Sequence, residues 1–324
     1  MGRSEDDNGG GRRFRLANLL PLAGIAILCL LVAQSDPKTG AGKTSESTAA
    51  TSKAGSQPSR LTLATYNINC GLTDEESMAG FSEIIRKSGA DVIAIQEGND
   101  TLYAYLKKHL AKEYPRMYFF GKPAAGGLAW VSKIPLANTA VLPSQGGGWS
   151  STVVSQAKVG GRSIQLVNTH LFATIPAPKA NLAQVLQTFA QAEQIRDRQI
   201  RFIYSKLSTK LPVAMLGDFN SPPGSVAVEF LKDKGFIDSY ASANKGAPEA
   251  TTWQWQVGES MMKLKLDYVL HGEQFKTHKS RIVREGNSDH FMVISEVELL
   301  PATATTKPAA KTSASKPAIA SERG

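Results

Sequence analysis

The sequence predicts one α/β domain with more strands than a single parallel sheet can hold, and three observations carry that expectation. Short apolar runs alternate with helical patterns through the first half of the chain. About ten strand-like runs fall within residues 61–300, a length that buries one large core without needing a second domain. Several of those runs end on carboxylate, carboxamide or imidazole side chains, which at a strand mouth can converge on a ligand without disturbing the core. No internal repeat is present.

The elements follow in order. A first strand is expected over 61–66, running into Asn67 and Asn69. Residues 77–88 place Met78, Phe81, Ile84 and Ile85 at three- and four-residue spacing, the mark of a helix, and a second strand over 91–96 runs into Glu97. The three make a β-α-β unit. A second helix is expected over 101–111, then strands at 117–120, 127–131, 152–158 and 163–170, the last closing on His170. The longest helix runs over about 181–207, with Leu182, Val185, Leu186, Phe189, Ile195, Ile200, Ile203 and Leu207 along one side, a stripe that must cover a sheet. Strands near 212, 252, 266, 281 and 292 complete the set.

The chain ends have a different character. Arg12, Arg13 and Arg15 precede an apolar stretch over 16–33, so residues 1–35 read as an export signal or membrane anchor, with a cleavage site available at Ala33-Gln34-Ser35. Cleavage and retention both stay open, because 18 residues is near the lower limit for spanning a bilayer. Either way, everything after residue 35 is expected outside the cytoplasm, secreted or membrane-anchored. Cys29 lacks the small preceding residue of a bacterial lipobox, which argues against lipidation. Residues 36–60 and 301–324 are rich in Ser, Thr, Ala and Lys and poor in large apolar side chains, a composition expected to stay disordered. The cysteines are Cys29 and Cys70, so a disulfide within the domain is excluded, and metal and packing must hold it.

The net charge of +9 invites a nucleic-acid reading, but most of it lies in the ends. Residues 61–300 hold 25 Lys or Arg against 22 Asp or Glu, a difference of +3. Between Tyr114 and Ala192 there is no acid, while Arg116, Lys122, Lys133, Lys158, Arg162 and Lys179 are basic. Two readings of that stretch stay open: a face that draws an anionic substrate, or a surface with scattered solubilising lysines.

A lone Asp or Asn after a strand is ordinarily a turn or cap residue. Here the ordered set carries the weight: Asn67, Gln96-Glu97, Thr169-His170-Leu171, Gly217-Asp218-Phe219-Asn220, Leu266-Asp267-Tyr268 and Ser288-Asp289-His290. This order resembles the endonuclease/exonuclease/phosphatase (DNase I-like) superfamily over residues 61–299. The resemblance implies a four-layer sandwich, two packed mainly antiparallel or mixed β-sheets flanked by helices, and a metal-dependent phosphoesterase activity.

Hard divalent cations take oxygen ligands, and the donor set suits Mg²⁺ or Mn²⁺. By resemblance, Glu97 is the first metal ligand, with Asn67 and Asp289 completing the inner or water-bridged shell. Asp218 would be the base that orients and deprotonates water, and Asn220 would bond the phosphoryl group or the aspartate itself. His170 and His290 would hold phosphate oxygens, with Asp267 orienting one histidine. Asn69 stands where some nucleases of the family carry an aspartate, which leaves one or two metals open. Some of those nucleases give the first histidine a carboxylate from the preceding segment. None is available here, so His170 is expected to lean on a backbone carbonyl or on Tyr118. His109, His271 and His278 fall outside the motifs and read as surface residues.

The substrate is expected to be a phosphate ester. Thr251-Thr252-Trp253-Gln254-Trp255 is similar to the tryptophan-bearing segment of the apurinic nucleases, so Trp253 and Asn69 are candidate substrate contacts and nucleic acid is the first expectation. Trp253 and Trp255 also share one strand face and can simply pack. A phospholipase C or sphingomyelinase type of activity is the alternative, favoured by membrane proximity but lacking an obvious long apolar hairpin. A third is a silent binding domain on a flexible stalk. Gly146-Gly147-Gly148-Trp149 reads as a substrate loop or a buried anchor. No protein partner is implied.

Overall fold

A computed structural model describes residues 59–302 of the 324, apart from 70–73, 122–125, 146–150, 175–181, 248–249 and 258–259. The expected export segment, most of both tails, both cysteines and the Gly146 to Trp149 loop therefore lie outside the described residues. Among the described residues no helix is long and apolar enough to cross a membrane.

In chain order the elements are β1 (Arg60–Asn67), α1 (Glu75–Ser88), β2 (Val92–Gly98), α2 (Asp100–Leu110), β3 (Arg116–Phe120), β4 (Gly127–Ser132), β5 (Leu136–Leu142), β6 (Thr152–Val159), β7 (Arg162–His170), α3 (Leu182–Ser205), β8 (Val213–Asp218), α4 (Val226–Asp233), β9 (Ile237–Asp238), α5 (Ser239–Ala243), β10 (Trp253–Val257), β11 (Ser260–Leu264), β12 (Asp267–His271), β13 (Phe275–Val283) and β14 (Met292–Leu299). They form two six-stranded mixed sheets, ordered β13-β14-β1-β2-β4-β3 and β5-β6-β7-β8-β12-β9, plus a two-stranded ribbon of β10 and β11. Each sheet has one parallel pair at its centre, β1 with β2 and β7 with β8, and is otherwise antiparallel.

Three apolar layers separate four layers of structure. Leu61, Leu63, Val92, Ala94 and Trp130 of the first sheet meet Leu166, Ala214, Leu216 and Val269 of the second. On the outer side of the first sheet, Ala64, Tyr66, Ile93 and Ile95 pack against Phe81 and Ile85 of α1 and Leu102 and Leu106 of α2. On the outer side of the second, Val167, Met215 and Tyr268 pack against Ile200 and Ile203 of α3 and Val228 and Leu231 of α4. The central strands are thus apolar on both faces, which is why they read as unbroken runs in the sequence. This is the expected four-layer sandwich.

Local signals set the element ends. Asp74 caps α1, its side chain accepting from Ser77 N at 2.8 Å, so the helix starts at Glu75 rather than at 77. Asn99 caps α2 in the same way through Leu102 N at 2.9 Å. The strand expected near 252 is present as β10 and forms one arm of the ribbon rather than joining a large sheet. Two further expectations need adjustment. The inward side of α3 is not wholly apolar, since Glu193, Arg196 and Gln199 are buried on it beside Ile200 and Ile203. His271 is not a surface residue: its ring is buried, Nδ1 donates to Gly272 O at 2.9 Å, and Nε2 accepts from Thr277 Oγ1 at 2.7 Å. That tautomer is neutral, and burial lowers its pKa below the ordinary histidine value.

Candidate active site

The strand ends named by the sequence meet at one end of the sandwich, where the parallel pairs of both sheets finish. β1 ends on Asn67, and its amide nitrogen donates to Glu97 Oε1 at 3.0 Å and across to Asp218 Oδ2 of the other sheet at 2.9 Å. Asn67 Oδ1 accepts from Asn69 N at 2.9 Å, and Asp218 Oδ1 accepts from Asn220 N at 2.7 Å. The two turns match: a strand-end side chain binds the N–H two residues on, the intervening Ile68 or Phe219 is buried, and Asn69 and Asn220 take left-handed φ of 52° and 48°. Asparagine tolerates that region, which accounts for its place in both motifs. The side chain of Asn69 is exposed, so Asn69 reaches the cluster through its backbone.

Glu97 arrives by a different device. A register shift between Ile95 and Gly98 interrupts the β2–β4 ladder, and Glu97 sits at φ 59°. A glutamate in the left-handed region is strained, and strain of this kind survives where surrounding structure holds it for a purpose. Here it directs Glu97 toward Asn67 and His170.

His170 Nε2 lies 3.6 Å from Glu97 Oε1 and 3.5 Å from Asp218 Oδ2. Of the two supports expected for His170, a backbone carbonyl or Tyr118, the Tyr118 hydroxyl donates elsewhere, to Leu136 O. The acids facing His170 come instead from β2 and β8, far from it in sequence. His290 Nε2 is 3.7 Å from the same Asp218 oxygen, while its Nδ1 donates to Asp267 Oδ2 at 2.9 Å. Burial disfavours charge on His290, but Asp267 and Asp218 outweigh it and raise its pKa to about 10. Asp267 is pushed up to about 6, by burial first and by Asp218, against the pull of His290. At neutral pH the two form a carboxylate–imidazolium pair.

Asp289 stands one step away. Its Oδ2 accepts from Trp253 Nε1 at 2.8 Å, so Trp253 orients an acid of the site. Among the described residues, the buried Oδ1 atoms of Asp267 and Asp289 have no hydrogen-bond partner. Carboxylate oxygens of Asp218 and Asp267 lie within 4.8 Å of one another beside His290, whose imidazolium form has no lone pair to offer a metal. Carboxylate oxygens gathered with free lone pairs are what a hard divalent cation uses, so the residues fit Mg²⁺ or Mn²⁺.

Several residues to which the sequence assigns no role support the site. Gln96 Nε2 donates to Asn168 Oδ1 at 2.8 Å, tying the two sheets beneath the site, and Asn168 donates in turn to Ile95 O and Ala129 O. Thr252 Oγ1 accepts from Leu266 N and Asp267 N at 2.8 and 2.9 Å, and Thr252 O accepts from Phe291 N, so one residue sets Asp267 beside His290. Ser288 Oγ donates to Asn67 O and accepts from His290 N. The motif strings contained or adjoined all of these, but only long-range pairing reveals their partners.

A fold of this kind, with acids and histidines at the shared strand ends, defines a phosphoesterase-type sandwich. The chain belongs to the endonuclease/exonuclease/phosphatase family, whose model matches residues 64–290. It is 30% identical over 168 residues to an inositol phosphosphingolipids phospholipase C of Saccharomyces cerevisiae. That match covers 46% of this chain and 34% of the relative, so the chain spans about a third of that protein's length. Among solved structures it is similar to D. rerio TDP2 complexed with single strand DNA product, with TM-score 0.61 and 15% identity over 74% of this chain and 99% of that one. It is also similar to the human Nocturnin catalytic domain with bound sulfate (TM-score 0.58, 18% identity, 74% and 93% covered). The endonuclease/exonuclease/phosphatase of Beutenbergia cavernae compares likewise (0.57, 19%, 75% and 72%).

Proposed function

We propose that this protein is a divalent-metal-dependent phosphodiesterase working outside the cytoplasm. The observation that carries the reading is Asp218: a buried carboxylate held by the amides of Asn67 and Asn220 and faced by the Nε2 atoms of both His170 and His290. Ester hydrolysis needs an oriented water, neutralised phosphoryl oxygens and a stabilised leaving oxygen. Asp218 takes the water's proton, and Asn220 fixes its orientation through both carboxylate oxygens. His290, kept protonated by Asp267, donates to a phosphoryl oxygen, with His170 on the other side of Asp218. Glu97 and Asp289 would hold the metal, which would supply Lewis-acid stabilisation of the phosphoryl and departing oxygens. Asn67 Nδ2 donates to Glu97 and Asp218, and its Oδ1 would complete the shell directly or through water.

Of the two substrate classes, a phospholipid headgroup ester has more support than nucleic acid. The phospholipase C of S. cerevisiae is a relative by sequence. The ribbon whose base carries Trp253 also exposes two large apolar side chains, Trp255 at 52% and Met261 at 40%. An indole so placed also suits base stacking, which keeps the nucleic-acid reading as the second. The export segment at residues 1–35 is consistent with either.

The test is a panel of inositol phosphosphingolipid and sphingomyelin vesicles, DNA and RNA, with and without chelator. Cleavage lost to chelator and restored by Mg²⁺ or Mn²⁺ is expected. Asp218→Asn should abolish turnover and keep binding, while His290→Ala should damage both. A folded Asp218→Asn working at the wild-type rate sinks the mechanism. Binding without cleavage of any ester would favour the silent module, and activity of a reporter fused after residue 300 in the cytoplasm would overturn the export reading.

A further inference from the structure

The buried polar face of α3 has no part in the chemistry above, yet it grips the chain directly after His170. Arg196 is 2% exposed, an expensive place for a guanidinium. Its Nε and Nη2 donate to Glu193 Oε1, while its Nη1 donates to Phe172 O at 3.1 Å and to Thr174 Oγ1 at 2.7 Å. One turn on, Gln199 Oε1 accepts from Phe172 N at 2.9 Å, and Gln199 Nε2 donates to Ser144 Oγ at 2.8 Å. Glu193 Oε2 accepts from Val226 N, the first N–H of α4. Leu171 is held from the opposite side, its N–H on Asp218 O at 2.9 Å and its carbonyl accepting from Asn220 Nδ2 at 3.0 Å.

Both polar groups of the Phe172 backbone are therefore fixed by two side chains of one helix, two residues from His170. A buried ion pair is a poor source of net stability, because desolvation offsets most of its attraction. What it does supply is direction: the planar fork of Arg196 meets Glu193, Phe172 and Thr174 together, which an ammonium on a flexible stem does not reproduce. Gln199 also lines, with His170, Ser144, Phe202 and Ile203, a small pocket beside the histidine.

We propose that Arg196 and Gln199 are positioning residues that set His170 relative to Asp218 by clamping residues 171–174, with Glu193 holding Arg196 in register and linking the clamp to α4. The inference rests on the phosphodiesterase reading for its activity arm alone. In the full chain, Gln199→Met removes both contacts without stranding a charge. Arg196→Lys keeps the charge opposite Glu193 but not the fork. Thr174→Val deletes one Arg196 contact at a half-buried position.

Gln199→Met and Arg196→Lys should each lower kcat about ten- to a hundredfold with KM within about twofold, the signature of a misplaced group rather than lost substrate binding. Thr174→Val should lower kcat several-fold, and Thr174→Ser should restore it. Independently of any substrate, histidine-selective ¹⁵N NMR should show the His170 ring signals displaced in Gln199→Met, with those of His271 and His278 unmoved. Folded variants with unshifted His170 signals and kcat within about twofold of wild type would overturn the clamp. If wild type cleaves no ester, the phosphodiesterase reading fails while the NMR comparison still decides the positioning.

Discussion

Gly217 lies where β8 is paired on both sides, opposite Thr169 of β7 and Tyr268 of β12, immediately before Asp218. Its φ is +147°, and a Cβ built there would stand 1.9 Å from Thr169 O. Real Cβ contacts do not fall below 3.0 Å, so Gly217→Ala must open the parallel pair by at least about 1 Å. The left-over strain costs about 1–3 kcal/mol, and weakened ladder bonds add to it, for a total of roughly 3–4 kcal/mol. In a domain of this size that is a fall in Tm of about 6–16 °C. Gly235 supplies the control: its φ is +83°, but nothing lies within 4 Å of an added Cβ. Gly235→Ala should cost about 1 kcal/mol, or roughly 2–4 °C. Because the displaced strands end on His170 and Asp218, Gly217→Ala should also lower turnover about a hundredfold at temperatures where it is folded. Differential scanning calorimetry of both variants beside wild type makes the comparison. A Gly217→Ala protein that melts with Gly235→Ala and turns over at the wild-type rate refutes the reasoning.

Two further outcomes are expected. Glu97→Gln should leave the fold intact, weaken Mg²⁺ binding by calorimetry at least tenfold and reduce turnover by orders of magnitude; equal activity at limiting metal would remove Glu97 from the ligand set. His271 has a lowered pKa in the fold, so below about pH 6.5 the unfolded chain binds the extra proton, and stability present above that pH is lost as pH falls toward the folded value. His271→Gln should therefore flatten the stability profile between pH 8 and about 5 in urea titrations, and an unchanged slope would exclude His271 as its source.

The fold was legible because β1, β2, β7 and β8 are buried on both faces and announce themselves as apolar runs, with polar side chains only where they leave the core. β5 was missed for the opposite reason: it is an edge strand with five consecutive exposed residues, including Asn138 at φ 48°, and lacks the inward face that gives a strand its pattern. α4 was too short to establish a period, and the second arm of the ribbon, β11, reads Ser260-Met261-Met262-Lys263-Leu264 without a clear strand signal. At the site, the residue types and their order were readable, but their partners were not. The segment before His170 holds no acid, and the Glu97 and Asp218 that face it come from the neighbouring sheet and the neighbouring strand. Nor does composition reveal that Glu97 is turned by a bulge, or that Arg196 is buried within a helix whose other residues look amphipathic.

The position of β14 has a consequence for the order in which this protein comes into being. Among the described elements β14 is the last in the chain, yet it pairs with β1, the first of them, and the loop that leads into it carries Asp289 and His290. Until that segment emerges, β1 has an open edge and the site lacks one of its two histidines and one of its acids. Pairing so distant in sequence closes slowly and leaves sheet edges exposed in the meantime. A chain stopped before that loop would lack Asp289 and His290 and would present an unpaired β1 edge.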